Sequence, residues 1–352
     1  MATIFELRLV HDDAELAAQA AQAVFATAHQ IEAQLSRFIE TSDVSRIRTL
    51  QPGQSLRLHA HTAACLHIAL EMMQRTGGAF DPTLGAQMDR LRNTSDDSRP
   101  LLLLAQSPQQ PSQSPESQAP RATLSLDPDT LTLYCDGPAY AEPVHLDLGA
   151  IGKGYALDVM AEELQDWDIT RALLLAGGSS SILALGGPAC AAAAEDGDNR
   201  RGEAESEGWC ISLSSKQLLF LENAAISTSG TSVKGAHILD PRTGRPAVGT
   251  PVRTWAVAPT AAQSDALSTS WMLLSTNEMQ SLCNEMPGVA AVLEISDAPG
   301  TVEPLTFITG TSSSTGHADS GMPAGAVIAE YSPSQGSGMG HLDNPFVINM
   351  LT

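Results

Sequence analysis

Apolar and polar positions along this chain switch between two periods, and the switches lay out its elements. Thr3 to Val10 alternate, which predicts a strand. Leu16, Ala20, Val24, Ala28, Ile31 and Leu35 then recur at helical spacing. They predict a helix from about Asp13 to Ser36, with Asp12 or Asp13 as its N-cap. Cys65, Leu66, Ala69, Leu70 and Met73 predict a second helix over Thr62 to Thr76, stopped by Gly77-Gly78. Leu124 to Tyr134 alternates as a strand and is followed by a turn at Asp136-Gly137-Pro138. Val144, Leu146 and Leu148 predict the next strand, and a helix follows from about Lys153 to Asp166. Leu173-Leu174-Leu175 predicts a buried strand ending at Gly177-Gly178. Trp209 to Leu213 and Gln217 to Leu221 predict a strand pair, and another strand begins near Thr254. A helix from about Ser264 to Ser275 and strands near Val289 to Ile295 and Pro304 to Ile308 complete the pattern.

Strands and helices mix here without regular β-α-β alternation, so the expected fold class is α+β. Two stretches break the pattern. Residues 93–121 are rich in Ser, Pro and Gln, and residues 189–208 are of low complexity; both are expected to be flexible inserts. A Ser/Gly-rich tail over 309–352 is expected to be mobile, which leaves 1–308 as the folded domain. With 352 residues, 43% of them hydrophobic, the chain can bury one large core or two sub-domains sharing one.

The formal net charge of -21 argues against nucleic acid and anionic membrane as partners, since both call for clustered Lys and Arg. It also means that an anionic ligand must be held by local groups: backbone N–H, a lysine or a metal. Cys65, Cys135, Cys190, Cys210 and Cys283 are odd in number and form no C-x-x-C, so neither a disulfide framework nor a thiolate metal site is implied. The N-terminal residues read as a strand rather than a signal peptide. No apolar run reaches the roughly 18 residues of a membrane span. The default expectation is a cytoplasmic protein without a membrane-spanning segment.

Four regions carry candidate chemistry. In His145-Leu-Asp-Leu-Gly-Ala-Ile-Gly-Lys-Gly-Tyr-Ala-Leu-Asp158 a strand feeds a glycine-rich turn that opens a helix. Such a turn lets backbone approach a ligand, and the helix N-terminus with Lys153 favours phosphate. It is not a Walker A loop, and a purely structural strand-turn-helix reads the same. In Ser264-Asp-Ala-Leu-Ser-Thr-Ser270 a helix puts Asp265 and Thr269 on one face. One carboxylate and one hydroxyl make a sparse oxygen site of the kind Mg²⁺ accepts, or a helix N-cap with an incidental threonine. Ile226-Ser-Thr-Ser-Gly-Thr-Ser232 offers hydroxyls, and His237 precedes a turn at Asp240-Pro241. His237 is a candidate proton acceptor or pyrophosphate donor, or a structural histidine. Gly77-Gly-Ala-Phe-Asp-Pro-Thr-Leu-Gly85 is a helix stop and turn, or an aromatic and a carboxylate beside a nucleoside.

These regions, in this order, resemble the FAD:protein FMN transferases, the ApbE-like family. The matching stretches are Leu35-Ser-Arg-Phe38 with Ser42-Asp-Val-Ser-Arg46, Gly78 to Thr83, Asp147 to Gly154, Gly177-Gly178, Thr228-Ser-Gly230, His237 to Gly244, and Asp265-Ala-Leu-Ser-Thr269. The resemblance implies two mixed α/β lobes of the ApbE-like, T-fold-related type with FAD between them. It implies Mg²⁺ held by the side chains of Asp265 and Thr269 and by the Ala150 carbonyl. Met1, Phe38, Ala79, Phe80, Asp81, Asp147, Lys153 and Ile238 would line the FAD site, and His237 would stand near the reacting phosphate as the catalytic group. The implied reaction moves FMN from FAD to a Thr or Ser hydroxyl of an acceptor protein and releases AMP. Hydrolysis of FAD to FMN and AMP, or flavin binding without turnover, would use the same residues. This chain departs from the family pattern at Ala176, where Asn is usual, at Ser179, where Asp or Asn is usual, and at Ser264, where Ala is usual.

Overall fold

The structure is a computed structural model that describes residues 3–89, 122–139, 141, 143–178, 180–187, 208–214, 217–230, 238–247, 251–295, 305–310 and 326–330. Its first elements are β1 (Phe5–Leu9), α1 (Ala14–Leu35), α2 (Asp43–Ile47), β2 (Ser55–Arg57), α3 (Ala60–Arg75), β3 (Thr123–Asp127) and β4 (Thr132–Asp136). Then come α4 (Gly152–Asp166), β5 (Ala172–Ala176), β6 (Ser181–Leu185), β7 (Trp209–Ser212), β8 (Gln217–Leu221) and β9 (Ala224–Gly230). The rest are β10 (Leu239–Asp240), β11 (Arg245–Pro246), β12 (Arg253–Ala258), α5 (Ala261–Trp271), α6 (Thr276–Glu285), β13 (Ala290–Glu294), β14 (Thr306–Thr309) and β15 (Ala326–Glu330).

The centre is a seven-stranded sheet in the order β1-β5-β6-β9-β12-β13-β14, with every neighbouring pair antiparallel. Both of its faces are covered. Ala172, Leu174, Leu183, Ala225, Ala256 and Ala291 point into one core with the buried sides of α1, α3, α4 and α5. Leu173, Leu175, Ile182, Ile226, Trp255, Val257 and Val292 point into a second core with Leu219 and Leu221 of β8. Alternate residues of one strand thus serve two cores, because side chains alternate across a sheet. That is why β5 and β6 are buried at every position and read as continuous apolar runs.

On the helical face, small side chains set the spacing. α5 lies over β9 and β12 through Ala261, Ala262, Ala266, Ser264 and Ser268, all buried. Two buried hydroxyls join the layers: Ser264 Oγ donates to the Ala256 carbonyl at 2.7 Å and Thr254 Oγ1 to the Ser268 carbonyl at 2.6 Å. Ser264 stands where the family usually has Ala, and its added hydroxyl ties α5 to β12.

Several expectations change. The stretch Leu124 to Tyr134 is a hairpin, β3 and β4, rather than one strand. Asp127 accepts from the Asp129 and Thr130 backbone and from the Thr130 hydroxyl, and Leu131 takes a left-handed φ of 54°. Residues 144–148 alternate in burial as a strand does, but they pair only through one parallel bridge, Leu84 to His145. Helix α5 starts at Ala261, three residues before Ser264, because Thr260 is its cap and accepts from Gln263 N. Helices α2 and α6 and strand β6 had no clear periodic signal. The expected insert 93–121 lies outside the described residues, as does nearly all of 189–208. Part of the expected tail, β15, pairs antiparallel with β8.

Candidate active site

The glycine-rich turn is held from below by two acidic groups and one arginine. Asp147 Oδ1 accepts the Gly149 N–H at 2.8 Å, and its Oδ2 lies 3.3 Å from Arg37 Nη1. Arg37 also reaches Asp89 at 2.9 Å and sets its guanidinium 4.9 Å from the centre of the Phe38 ring. Phe38 itself is 71% exposed. The Gly78 to Gly85 stretch runs beside the turn: Gly85 N donates to the His145 carbonyl and Asp147 N to the Pro82 carbonyl, both at 2.8 Å. A Cβ on Gly85 would stand 2.6 Å from the His145 oxygen, so only glycine fits there.

Helix α4 opens at Gly152 without a side-chain cap, which leaves its first N–H groups to other partners. Gly154 gives its N–H to Asp265 Oδ2 at 3.2 Å. The position has no room for a side chain, because a Cβ there would meet the Ala261 carbonyl oxygen at 2.0 Å. α4 and α5 therefore cross in backbone contact. One turn further on, Asp158 accepts the N–H groups of Ala261 and Ala262 at 2.7 and 2.8 Å. Burial pushes the Asp158 carboxyl up to about 7; the two N–H bonds pull the other way, and Glu162 and Asp265 add to the rise.

Asp265 is 4% exposed. The Lys153 ammonium lies 2.9 and 3.0 Å from its two oxygens and 3.2 Å from the Gly149 carbonyl. Ser181 Oγ donates to Asp265 Oδ1 at 3.0 Å. The Lys153 stem runs across Gly177, where a Cβ would stand 3.2 Å from Cδ; Gly177 also has a φ of 64°. Gly177 thus makes room for the lysine. Removing one partner from so enclosed a pair would cost about 3–5 kcal/mol.

Beyond Asp265 a hydroxyl relay fixes a proton direction. Ser268 Oγ donates its only proton to the Asp265 carbonyl at 2.9 Å, so it must accept from Ser229 Oγ at 2.9 Å. Ser229 has then used its proton, and Thr269 Oγ1 must donate to it across 3.2 Å. The lone pairs of Thr269 are left facing away from Ser229.

Of the residues singled out in the sequence, contacts join Asp147, Lys153 and Asp265 through the turn that contains Ala150, and Thr269 follows one helical turn after Asp265. Asp81 is occupied locally, accepting the backbone and hydroxyl of Thr83 at 2.8 and 2.7 Å. Ala79 and Phe80 are buried in the main core, so the Phe80 ring is committed to packing. Ile238 is buried at the base of the β10-β11 hairpin, which Arg242 ties to the Leu273 carbonyl at 2.7 Å, just past α5. Met1 and His237 lie outside the described residues. Sequence reasoning missed Ser181, which has no signal beyond following the glycine pair. It also missed Asp158 and Arg37, which stood inside matched or quoted stretches without an assigned role.

Among the described residues no group of three or more His, Cys, Asp or Glu could hold a metal ion. A cation here would rest on one carboxylate, a hydroxyl, a backbone carbonyl and waters. That donor set is all hard oxygen and fits Mg²⁺, which keeps several waters and shares phosphate oxygens.

The profile of the ApbE family matches residues 1–293. The FAD:protein FMN transferase of Treponema pallidum is 27% identical over 303 residues, 79% of this chain and 77% of that protein. The FAD:protein FMN transferase of Salmonella typhimurium is 25% identical over 173 residues, and the match spans 44% of its length. The solved flavin transferase ApbE of Vibrio cholerae superposes with a TM-score of 0.63 at 18% identity, covering 88% of this chain and 94% of the other, and shares its mixed helix-and-sheet fold. The chain belongs to the ApbE family.

Proposed function

We propose that this protein is a transferase that moves FMN from FAD to a Thr or Ser hydroxyl of an acceptor protein, with Mg²⁺ and with release of AMP. The observation that carries the reading is the convergence at one point of Lys153, from the uncapped start of α4, and Asp265, from α5, beside a glycine-rich turn. The names of the sequence relatives agree with it. Asp265, the Thr269 hydroxyl and the Ala150 carbonyl would hold the cation. When bound, Mg²⁺ offsets negative charge on the phosphate oxygens.

The chain's own residues supply the rest. Lys153 gives positive charge to the pyrophosphate, and the positive end of the α4 dipole adds to it. Arg37 and Asp147 order the turn. The exposed Phe38 ring, backed by Arg37, offers a face for a flat heterocycle. The acceptor hydroxyl attacks the FMN-side phosphorus, the bond to the bridging oxygen breaks, and AMP leaves. His237 is assigned on sequence grounds to accept the hydroxyl proton.

The test is intact-mass measurement of a candidate acceptor incubated with protein, FAD and Mg²⁺, with AMP followed in parallel. The expected result is an FMN adduct and equal AMP, both abolished in Asp265→Ala. AMP with free FMN and no adduct on any acceptor would identify a hydrolase instead. AMP release unchanged in Asp265→Ala would remove the cation site.

A further inference from the structure

We propose that the Lys153 ammonium is a built-in counter-ion that keeps the coordinating side of Asp265 closed, so that a divalent cation reaches the carboxylate only by displacing it. The proposal rests on the reading of Asp265 as a cation ligand and adds what that reading lacks, a competitor inside the site.

A carboxylate has about four lone-pair positions. All are used: Lys153 takes one on each oxygen, Ser181 Oγ takes a second on Oδ1, and the Gly154 N–H a second on Oδ2. No acceptor capacity remains for an ion until a donor leaves. The donors differ in freedom. Gly154 belongs to the first turn of α4, pressed against the backbone of Ala261. Ser181 belongs to an interior strand and is fully buried. Lys153 alone hangs on a flexible stem, with a side chain 19% exposed against 5% for Asp265.

Its departure releases a matched set of oxygens. The ammonium also occupies the Gly149 carbonyl, so one swing of the lysine frees a lone pair on each Asp265 oxygen and a carbonyl of the turn. A second observation marks this spot as adapted to another arrangement. Ser227 lies opposite Ser181 in the β6-β9 ladder, 1% exposed, and its hydroxyl finds no hydrogen-bond partner among the described residues. A buried hydroxyl left unpaired is unfavourable, and it becomes satisfied once Asp265 or an ion-bound water shifts toward it. The displaced ammonium is then free for phosphate, so cation and pyrophosphate favour each other through one lysine.

The experiment titrates Mn²⁺, the probe for Mg²⁺, into the FAD-free full chain and reads free Mn²⁺ by electron paramagnetic resonance. Lys153→Met is expected to bind Mn²⁺ about tenfold or more tighter than the unaltered chain. Adding Asp265→Asn to that variant should remove the gain. If Lys153→Met is poorly folded alone, excess Mn²⁺ should restore its melting transition, the ion replacing the lost charge. Equal or weaker Mn²⁺ binding by Lys153→Met, or no recovery of its fold, overturns the proposal. If AMP release still requires Asp265 in that case, the cation site stands and only the lysine's role falls. Mn²⁺ held equally well by the double variant places the ion elsewhere and sinks both.

Discussion

Gly154→Ala sets two opposed effects against each other. In a helix interior the change from glycine to alanine adds about 1 kcal/mol of stability, because glycine has more backbone freedom to lose. At this position the new Cβ would lie 2.0 Å from the Ala261 oxygen, 2.4 Å from its carbon and 2.7 Å from Ala262 N. All three are backbone atoms, which cannot rotate away. Relief requires α4 and α5 to part by roughly 1 Å or more, to reach ordinary contact distance. Overpacking of this kind costs about 1–3 kcal/mol. The same movement stretches the bonds from Asp158 to Ala261 and Ala262, now 2.7 and 2.8 Å, and losing one of them costs about 1.5–3 kcal/mol. The net expectation is a loss of about 3 kcal/mol, read by urea denaturation followed by circular dichroism as a lower midpoint at unchanged slope. Gly178→Ala is the control: it has a φ of 63° with nothing within 4 Å, so only backbone strain of about 1–2 kcal/mol applies. A Gly154→Ala protein as stable as the parent would refute backbone contact between the two helices.

Two further predictions follow from the same region. Ser229→Ala removes the group that receives the Thr269 proton, so the Mg²⁺ concentration for half-maximal AMP release should rise roughly fivefold, the equivalent of one ordinary hydrogen bond; an unchanged Mg²⁺ requirement would exclude the relay. Asp158 has a folded-state pKa of about 7, above the roughly 3.9 of an unfolded aspartate. Its contribution is therefore complete below about pH 4 and is lost as pH rises through about 7, and denaturation midpoints measured across that window should fall less steeply in Asp158→Asn than in the parent. Parallel pH slopes in the two proteins would show that Asp158 is ionised throughout.

Burial explains which elements could be read from the chain alone. α1 is long and one-sided, and its periodic positions Ala20, Val24, Ala28, Ile31 and Leu35 are all buried. The triplet Leu173 to Leu175 serves both cores at once, and a continuous apolar run is the signal of that situation. The β3-β4 hairpin was obscured because each strand alternates on its own, the inward positions moving from Leu124 and Leu126 to Leu131, Leu133 and Cys135, and the one-residue shift between the two sets is the only trace of the turn in the pattern. The turn chemistry of Asp127-Pro128-Asp129 was present but was outweighed by period. Residues 144–148 show the opposite error. Their alternation correctly reports which side is buried, yet a strand also needs a neighbour, and the one bridge to Leu84 is invisible in sequence.

The candidate site was legible as motifs and illegible as a network, and the reason is chemical. Asp265 and Lys153 lie 112 positions apart in sequence, and each motif advertises only its own local geometry: a turn that opens a helix, and two oxygens on one helix face. Composition along α5 also misleads. Ser264, Ser268 and Ser270 make it look like a weak, solvated helix, whereas all three are fully buried. A serine-rich segment can lie inside only if each hydroxyl has an acceptor within reach, and here the carbonyls of Ala256, Asp265 and Ala266 supply them. The hydroxyls also let α5 lie close enough to the sheet for Ser181 and Ser229, from two different strands, to touch Asp265 and Thr269. Bulky apolar residues in their place would give the helix a more readable stripe, but they would hold it further from β6 and β9. The weak amphipathic signal of this helix and the reach of its acidic and hydroxyl groups into the sheet have one cause, the small polar side chains beneath it.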